Sequence, residues 1–444
     1  MGADFNTTRY EAMDRQSIWH PYTKHSAIES GPLPIMTRGE GVYLYDATGR
    51  KYLDAISSWW ACNLGHSHPR LVEAIVRQTR ELQHSILGNL SHPRAIELAT
   101  MLNDLFPDDR RVLFASDGAC AVEAALKIAL QYWFNLDRPE KCRFAALDFG
   151  YHGDTLGAVS VGYLKAFHKP FESVVFPVFQ APSPCCGACA FHESGQTCLE
   201  ECFDTMRLIL REHAHELAAV IIEPMCQGAG GMRMHSAEYL RRLAELCREK
   251  EVLLIADEVA MGFGRTGKMF AFEHAGILPD LVCVGKSLSG GYLPISATIV
   301  RAALFETFRD TPKDCTFYHG HTFAGNPIAA AAAVETLAIY QEEGVVARAA
   351  AMGKVLAEEL RLLKDLPDVR NVRWLGMVGV IELEDDARGL GTVRAAAIRD
   401  RLRREGILLR PLGNVVYVMP PLVTPEPVLR ELVRAVACAV REIR

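Results

Sequence analysis

The chain has 444 residues, with 48 basic against 54 acidic side chains and a formal net charge of −6. A hydrophobic share of 49 % and a charged share of 23 % are those of an ordinary globular chain, which excludes disordered and collagen-like readings. The acidic balance argues against nucleic acid as a partner, and no stretch nears the roughly 18 apolar residues of a membrane span.

In chain order, the opening MGADFNTTRYEAMDRQ is polar and of mixed charge, unlike a secretory signal. Thirteen cysteines, most of them single within apolar segments, fit reduced thiols in a cytoplasmic protein better than a disulfide scaffold. Residues 41–56 read as a hairpin: Val42 and Leu44, a turn over 46–49, then Tyr52 and Leu53. From about 70 to 335, apolar β-like runs (112–115, 220–223, 252–256, 281–284) alternate with amphipathic stretches. One of these, 237–250, carries Leu240, Leu243, Ala244 and Cys247 on a single face. That alternation predicts an α/β domain with a mainly parallel sheet covered on both faces. Beyond 335 the pattern predicts helices over 336–363 and 392–405 around a β-like stretch 374–383. Strands at 407–409 and 415–418 and a last helix over 428–441 follow. The expected division is a large domain over 71–335 and a smaller one built from 1–70 and 336–444.

Ligands of open α/β sheets sit at the carboxyl ends of strands, and two such ends carry charge. One run ends in Asp257, another in Gly285-Lys286. A buried strand-end lysine must be paired or made covalent. The readings open are a structural Asp257–Lys286 ion pair, two residues on solvated loops, or a lysine that condenses with a cofactor aldehyde while the aspartate holds a protonated pyridine nitrogen. Residues 114–119 end a strand, and a helical repeat through Val122, Leu126, Ala129 and Trp133 follows, so Gly118 and Ala119 could present backbone N–H groups to an anion. The segment 150–155, GYHGDT, offers an aromatic face and polar groups, or is simply a glycine-rich turn.

Together these pieces resemble the class III, fold-type I pyridoxal-phosphate aminotransferases over nearly the whole chain, from Trp19 to Pro421. Class-level marks are LIADEV with Asp257, GFGRTG at 262–267, Lys286, and the GNP that ends at Pro327. Rarer marks are WHPYT at 19–23, SSWW at 57–60, GYHGDT at 150–155, QGAGGMRM at 227–234, and Arg410-Pro411. These are similar to the branch that aminates 8-amino-7-oxononanoate to 7,8-diaminononanoate in biotin synthesis. The neighbouring alternative is a class III enzyme for ω-amino acids or acetylornithine, which lacks WHPYT and SSWW.

The resemblance implies a large sheet domain of the seven-stranded type with a smaller α+β domain, and pyridoxal 5′-phosphate as cofactor. Lys286 becomes the lysine that condenses with the cofactor and carries its proton, and Asp257 the partner of the ring nitrogen. Gly118 and Ala119 become phosphate contacts, and Tyr151 stacks on the ring. His321 and Thr322 reach the phosphate from the second subunit of a homodimer with shared active sites. Tyr22, Trp59, Trp60, Tyr151, Asp154 and Gly320 line the substrate path, Tyr22 serving the chemistry as well, and Arg410 holds the substrate carboxylate in a bidentate pair. Adjacent strand residues face opposite sides, so one of the two tryptophans is expected at the ligand, with Trp59 favoured. Two half-reactions use the cavity in turn, with S-adenosylmethionine or L-lysine as donor.

Ala119 replaces a serine common in the family's phosphate turn, and Met261 a common threonine. Tyr292, Pro294 and His321 look more like the lysine-using branch, which leaves the donor open. The cluster Cys185, Cys186, Cys189, Cys198 and Cys202, with His192, has near zinc-ligand spacing. It reads as a loop of reduced thiols or as a structural zinc staple on Cys185, Cys189, Cys198 and Cys202. No catalytic metal is expected.

Overall fold

The computed structural model describes residues 6–29, 31, 33–185, 201–385 and 392–443. Its centre is a seven-stranded sheet. In spatial order the strands are Arg110–Ala115, Ser296–Arg301, Leu281–Val284, Leu253–Asp257, Leu217–Ile222, Arg143–Leu147 and Phe179–Ala181. Only Ser296–Arg301 runs antiparallel to its neighbours. The middle strand Leu217–Ile222 reads LAAVII and is buried at every residue, as a strand covered on both faces requires. Some helices are started by a side-chain cap. The Ser236 hydroxyl accepts from Tyr239 N at 3.0 Å and starts Ala237–Glu249, which buries Leu240, Leu243, Ala244 and Cys247.

The other six strands are parallel and end on one edge, and five of them carry chemistry there. There they deliver residues 117–119, 151–155, Glu223, Asp257 and Lys286 to a common cleft. Beside this sheet, Met36–Glu40, Tyr43–Asp46 and Lys51–Asp54 are joined by Ile407–Leu408 from the far end of the chain, with Ile407 opposite Leu53. A third sheet holds Val369–Leu375, Val378–Leu383 and Val415–Val418. Among the described residues, no helix is long and apolar enough to cross a membrane.

Three expectations change. The helix read over 336–363 is two, Pro327–Glu342 and Val345–Arg361, broken at Gly344, whose φ of 59° no helix continues through. The stretch 374–383 belongs to a hairpin turning at Gly376 (φ 53°), where a Cβ would lie 2.3 Å from the Thr266 carbonyl carbon. Residues 57–60 are not strand. Ser57, Ser58, Trp59 and Trp60 all take left-handed backbone, with φ of 50°, 47°, 72° and 73°. Such backbone costs about 1–2 kcal/mol for each residue with a side chain, and it persists because its surroundings hold it. Ser57 donates to Met419 O at 2.8 Å, and Ser58 donates to Asp54 at 2.7 Å. The Trp60 indole N–H donates to the buried Tyr417 hydroxyl at 3.1 Å.

Candidate active site

The cleft at the strand ends has a volume of 510 Å³. Lys286 follows the Leu281–Val284 strand through Gly285, and its Nζ lies 5.3 Å from the centre of the Trp60 ring. Burial pushes its ammonium below the usual lysine value, with Asp257, Glu223 and Asp154 acting in the opposite direction. The outcome is an amine more readily deprotonated than a surface lysine, as a nucleophile requires.

Asp257 is 4 % exposed at the end of its strand. Its Oδ2 accepts from His152 Nδ1 at 2.7 Å and its Oδ1 from Val259 N at 3.0 Å. Glu223, equally buried, accepts from Tyr151 N at 2.9 Å and Gly228 N at 2.8 Å. Burial pushes its carboxyl up to about 7, opposed by His152 and aided by Asp257. Those two backbone bonds fix the Tyr151 turn and the 228–231 turn beside the lysine.

The anion end is built on the helix Gly118–Asn135. The Asp117 side chain accepts from Cys120 N at 3.0 Å, while Gly118 N and Ala119 N have no acceptor among the described residues. Two unpaired N–H groups at the start of an 18-residue helix face the cleft, where the helix dipole favours an anion. A Cβ on Gly118 would lie 2.6 Å from Val259 Cγ1, so the glycine keeps this floor open.

At the mouth, the Tyr22 hydroxyl donates to Asp154 and lies 3.5 Å from the Tyr151 hydroxyl. Burial, then the Asp154 contact, pushes the Tyr22 phenol up to about 12, so it stays protonated. Tyr22 packs edge-on against Trp59 at 5.8 Å, and the Arg410 guanidinium lies 4.2 Å over the Trp59 ring. Arg410 also donates to Tyr22 O at 3.0 Å. Lys286, Trp60, Tyr151, Asp154, Tyr22, Trp59 and Arg410 therefore form one continuous path. Trp60 lines the cleft at the lysine, and Trp59 stands at its mouth. Of the two tryptophans it is Trp60, not the favoured Trp59, that lines the cleft, while Trp59 is 38 % exposed and packs against Tyr22 and Arg410.

Gly320, His321 and Thr322 lie outside this cleft, with Gly320 and Thr322 exposed. His321 packs against His319, which contacts Lys127 on the outer face of the helix. Of the zinc candidates, Cys189 and Cys198 lie outside the described residues, while Cys185 and Cys202 are buried. Reading the sequence missed His152, Glu223 and Asp117 as parts of the site. His152 stood inside GYHGDT and Glu223 at a strand end, but their partners are distant in the chain.

Residues 26–440 match the aminotransferase class-III family. An adenosylmethionine-8-amino-7-oxononanoate aminotransferase of Geobacter sulfurreducens is 38 % identical over 427 residues, covering 94 % of each chain. One of Synechococcus elongatus is 40 % identical over 432 residues, covering 96 % of this chain and 99 % of that one. The crystal structure of the enzyme of that name from Methanocaldococcus jannaschii superposes with a TM-score of 0.92 at 36 % identity, covering 99 % of this chain and 100 % of that one. An omega transaminase of Pseudomonas jessenii in complex with PMP gives a TM-score of 0.90 at 32 % identity over 97 % of each chain. With strand-end lysine and aspartate in place and the family's match spanning nearly the whole chain, this protein belongs to the class-III aminotransferases of fold-type I.

Proposed function

We propose that the protein transfers an amino group to 8-amino-7-oxononanoate to give 7,8-diaminononanoate, with pyridoxal 5′-phosphate as cofactor and S-adenosylmethionine or L-lysine as donor. The observation that carries this reading is the aromatic path from Lys286 past Trp60, Tyr151 and Tyr22 to Trp59, with Arg410 at its end. A linear acceptor with a carboxylate at one end and an amino ketone at the other needs apolar walls and one distant cation. The names of the relatives point the same way.

The residues fit the cofactor. Gly118 N and Ala119 N would take its phosphate, and the open floor at Gly118 gives that group room. Asp257 would hold the ring nitrogen in its protonated form, with His152 fixing the carboxylate's orientation. Tyr151, tied to Glu223 through its backbone, would cover one ring face. When bound, pyridoxal phosphate supplies an aldehyde for amine capture and an electron-withdrawing ring. Lys286 would release that aldehyde to the incoming amine and then move a proton between the substrate carbon and the aldehyde carbon. Tyr22 and Asp154 would close the mouth against water.

The working unit in this reading is a cytoplasmic homodimer. Gly320, His321 and Thr322 lie away from their own cleft, and the same segment of a second copy would complete the phosphate site. Residues 71–335 would then act as the large domain, with 1–70 and 336–444 as the small one. The test is steady-state formation of diaminononanoate by the holoenzyme with each donor in turn. Product with one donor supports the reading and names the donor. No product with either, alongside normal cofactor absorbance, would leave only the family assignment.

A further inference from the structure

A second cavity, of 400 Å³, shares no lining residue with the catalytic cleft, and adjoins its mouth where Phe167 packs edge-on against Tyr22 at 5.6 Å. It lies where the Val369–Leu375 strand meets the short helix Lys165–His168 and the loops around 149 and 231. Its wall carries Lys165, Arg233, Arg370 and Arg373 against one carboxylate, Glu382. Arg373 is fully engaged: it donates to Met232 O and Gly231 O, each at 2.8 Å, and to Glu382 at 2.5 Å. Arg370 pairs with Glu384 at 3.4 Å and lies 3.9 Å from Glu382. Among the described residues, the other two cations keep unused hydrogen-bonding capacity. Arg233 gives its Nε to Ser183 at 3.0 Å and lays its guanidinium 4.3 Å over the Phe149 ring. Among the described residues its terminal nitrogens have no hydrogen-bond or ion-pair partner, and the Lys165 ammonium has none either. Asp148 is the further carboxylate within electrostatic reach of Arg233, and burial already disfavours its charged form.

Opposite these cations the wall is apolar, with Phe149 (47 % exposed), Phe167, Leu412 and Val415. We propose that this cavity is a binding site, separate from the catalytic cleft, for an amphipathic organic anion: one acidic group held by Arg233 and Lys165, its hydrocarbon body against Phe149 and Phe167. Two cations with unused hydrogen-bonding capacity suit a single carboxylate rather than a polyphosphate, and the aromatic wall rewards burial of a short alkyl chain. The site draws on two parts of the fold at once. Arg370 and Arg373 come from the third sheet, Lys165 and Arg233 from segments beside the catalytic loops, so a ligand here bridges them.

The proposal goes beyond the transamination reading and is tested apart from it. Holoenzyme is titrated calorimetrically with octanoate, whose carboxylate also suits Arg410. Two binding events per protomer are expected. Lys165→Ala with Arg233→Ala should weaken one at least about tenfold, and Arg410→Ala should weaken the other. The charge-preserving pair Lys165→Arg and Arg233→Lys should keep both, with the unfolding temperature of each variant reporting its fold. A single event that survives loss of Lys165 and Arg233 and vanishes in Arg410→Ala would overturn the proposal while sparing the active-site reading. A single event with the opposite pattern would uphold it and count against the role of Arg410. Inorganic phosphate binding as tightly as octanoate would overturn the amphipathic character.

Discussion

Asp257 and His152 meet at 2.7 Å across 105 residues of chain, both almost fully buried at the strand-end edge of the sheet. The imidazole N–H donates to one carboxylate oxygen while Val259 N occupies the other. The carboxylate is thereby fixed facing the cleft as a single acceptor array. Asp257→Asn should lower kcat by on the order of 10²–10³ through lost electrostatic stabilisation. His152→Ala should cost about ten- to a hundredfold and shift the pH profile of kcat. Unchanged kcat and profile in His152→Ala would show that its bond to Asp257 serves packing alone.

The floor under the helix Gly118–Asn135 gives a steric test. Gly118→Ala places a methyl group 2.6 Å from Val259 Cγ1, a clash worth about 1–3 kcal/mol of overpacking. The variant should lose cofactor on dialysis faster than wild type, and Val259→Ala in the same chain should restore retention. Wild-type retention in the single variant would count against the helix start as the phosphate site.

Arg410 stacks on Trp59 and is anchored to Tyr22 O, which orients its remaining nitrogens. Arg410→Ala should raise KM for the carboxylate acceptor by about ten- to a hundredfold, with little effect on a ketone acceptor lacking the carboxylate. Arg410→Lys should recover only part, since it loses both the stack and the bidentate fork. Equal losses for both acceptors would mean that the arginine supports the fold rather than the substrate.

Much of this was legible in the chain. The apolar runs and the strand-end positions of Asp257 and Lys286 follow from local pattern, because burial on both faces demands continuous apolar strands. The left-handed turn at 57–60 was not legible. Nothing local in Ser-Ser-Trp-Trp favours φ near 50–70°, and apart from Asp54 the contacts that hold it come from Met419, Tyr417 and Arg265, far along the chain. His152 and Glu223 escaped notice for the same reason, since a role defined by a partner 105 or 72 residues away leaves no periodic trace. The break at Gly344 was visible as a glycine, but an apolar helical pattern on both sides masked it.

The pair His66–Asp54 couples stability to pH. Burial lowers the imidazole's proton affinity, but hydrogen bonding to Asp54 at 2.9 Å, joined by Cys62, outweighs it and brings His66 up to about 9. Its folded value lies above the ordinary 6.5, so the protonated form favours the fold. That contribution is complete below pH ~6.5 and is lost as pH rises through ~9. Denaturant unfolding of wild type should therefore weaken over this window by at most about 1.4 kcal/mol per pH unit from this group. His66→Gln should flatten the slope, and an identical slope in the variant would contradict the coupling.

The central claim, amino transfer to 8-amino-7-oxononanoate, is tested most directly without any donor. Enzyme loaded with pyridoxamine 5′-phosphate is mixed with the acceptor in a single turnover, and the product is quantified by mass spectrometry. One 7,8-diaminononanoate per protomer, with conversion of the bound cofactor to its aldehyde form, is the expected result. No diamine from fully loaded enzyme, while another keto compound discharges the amino group, would contradict it.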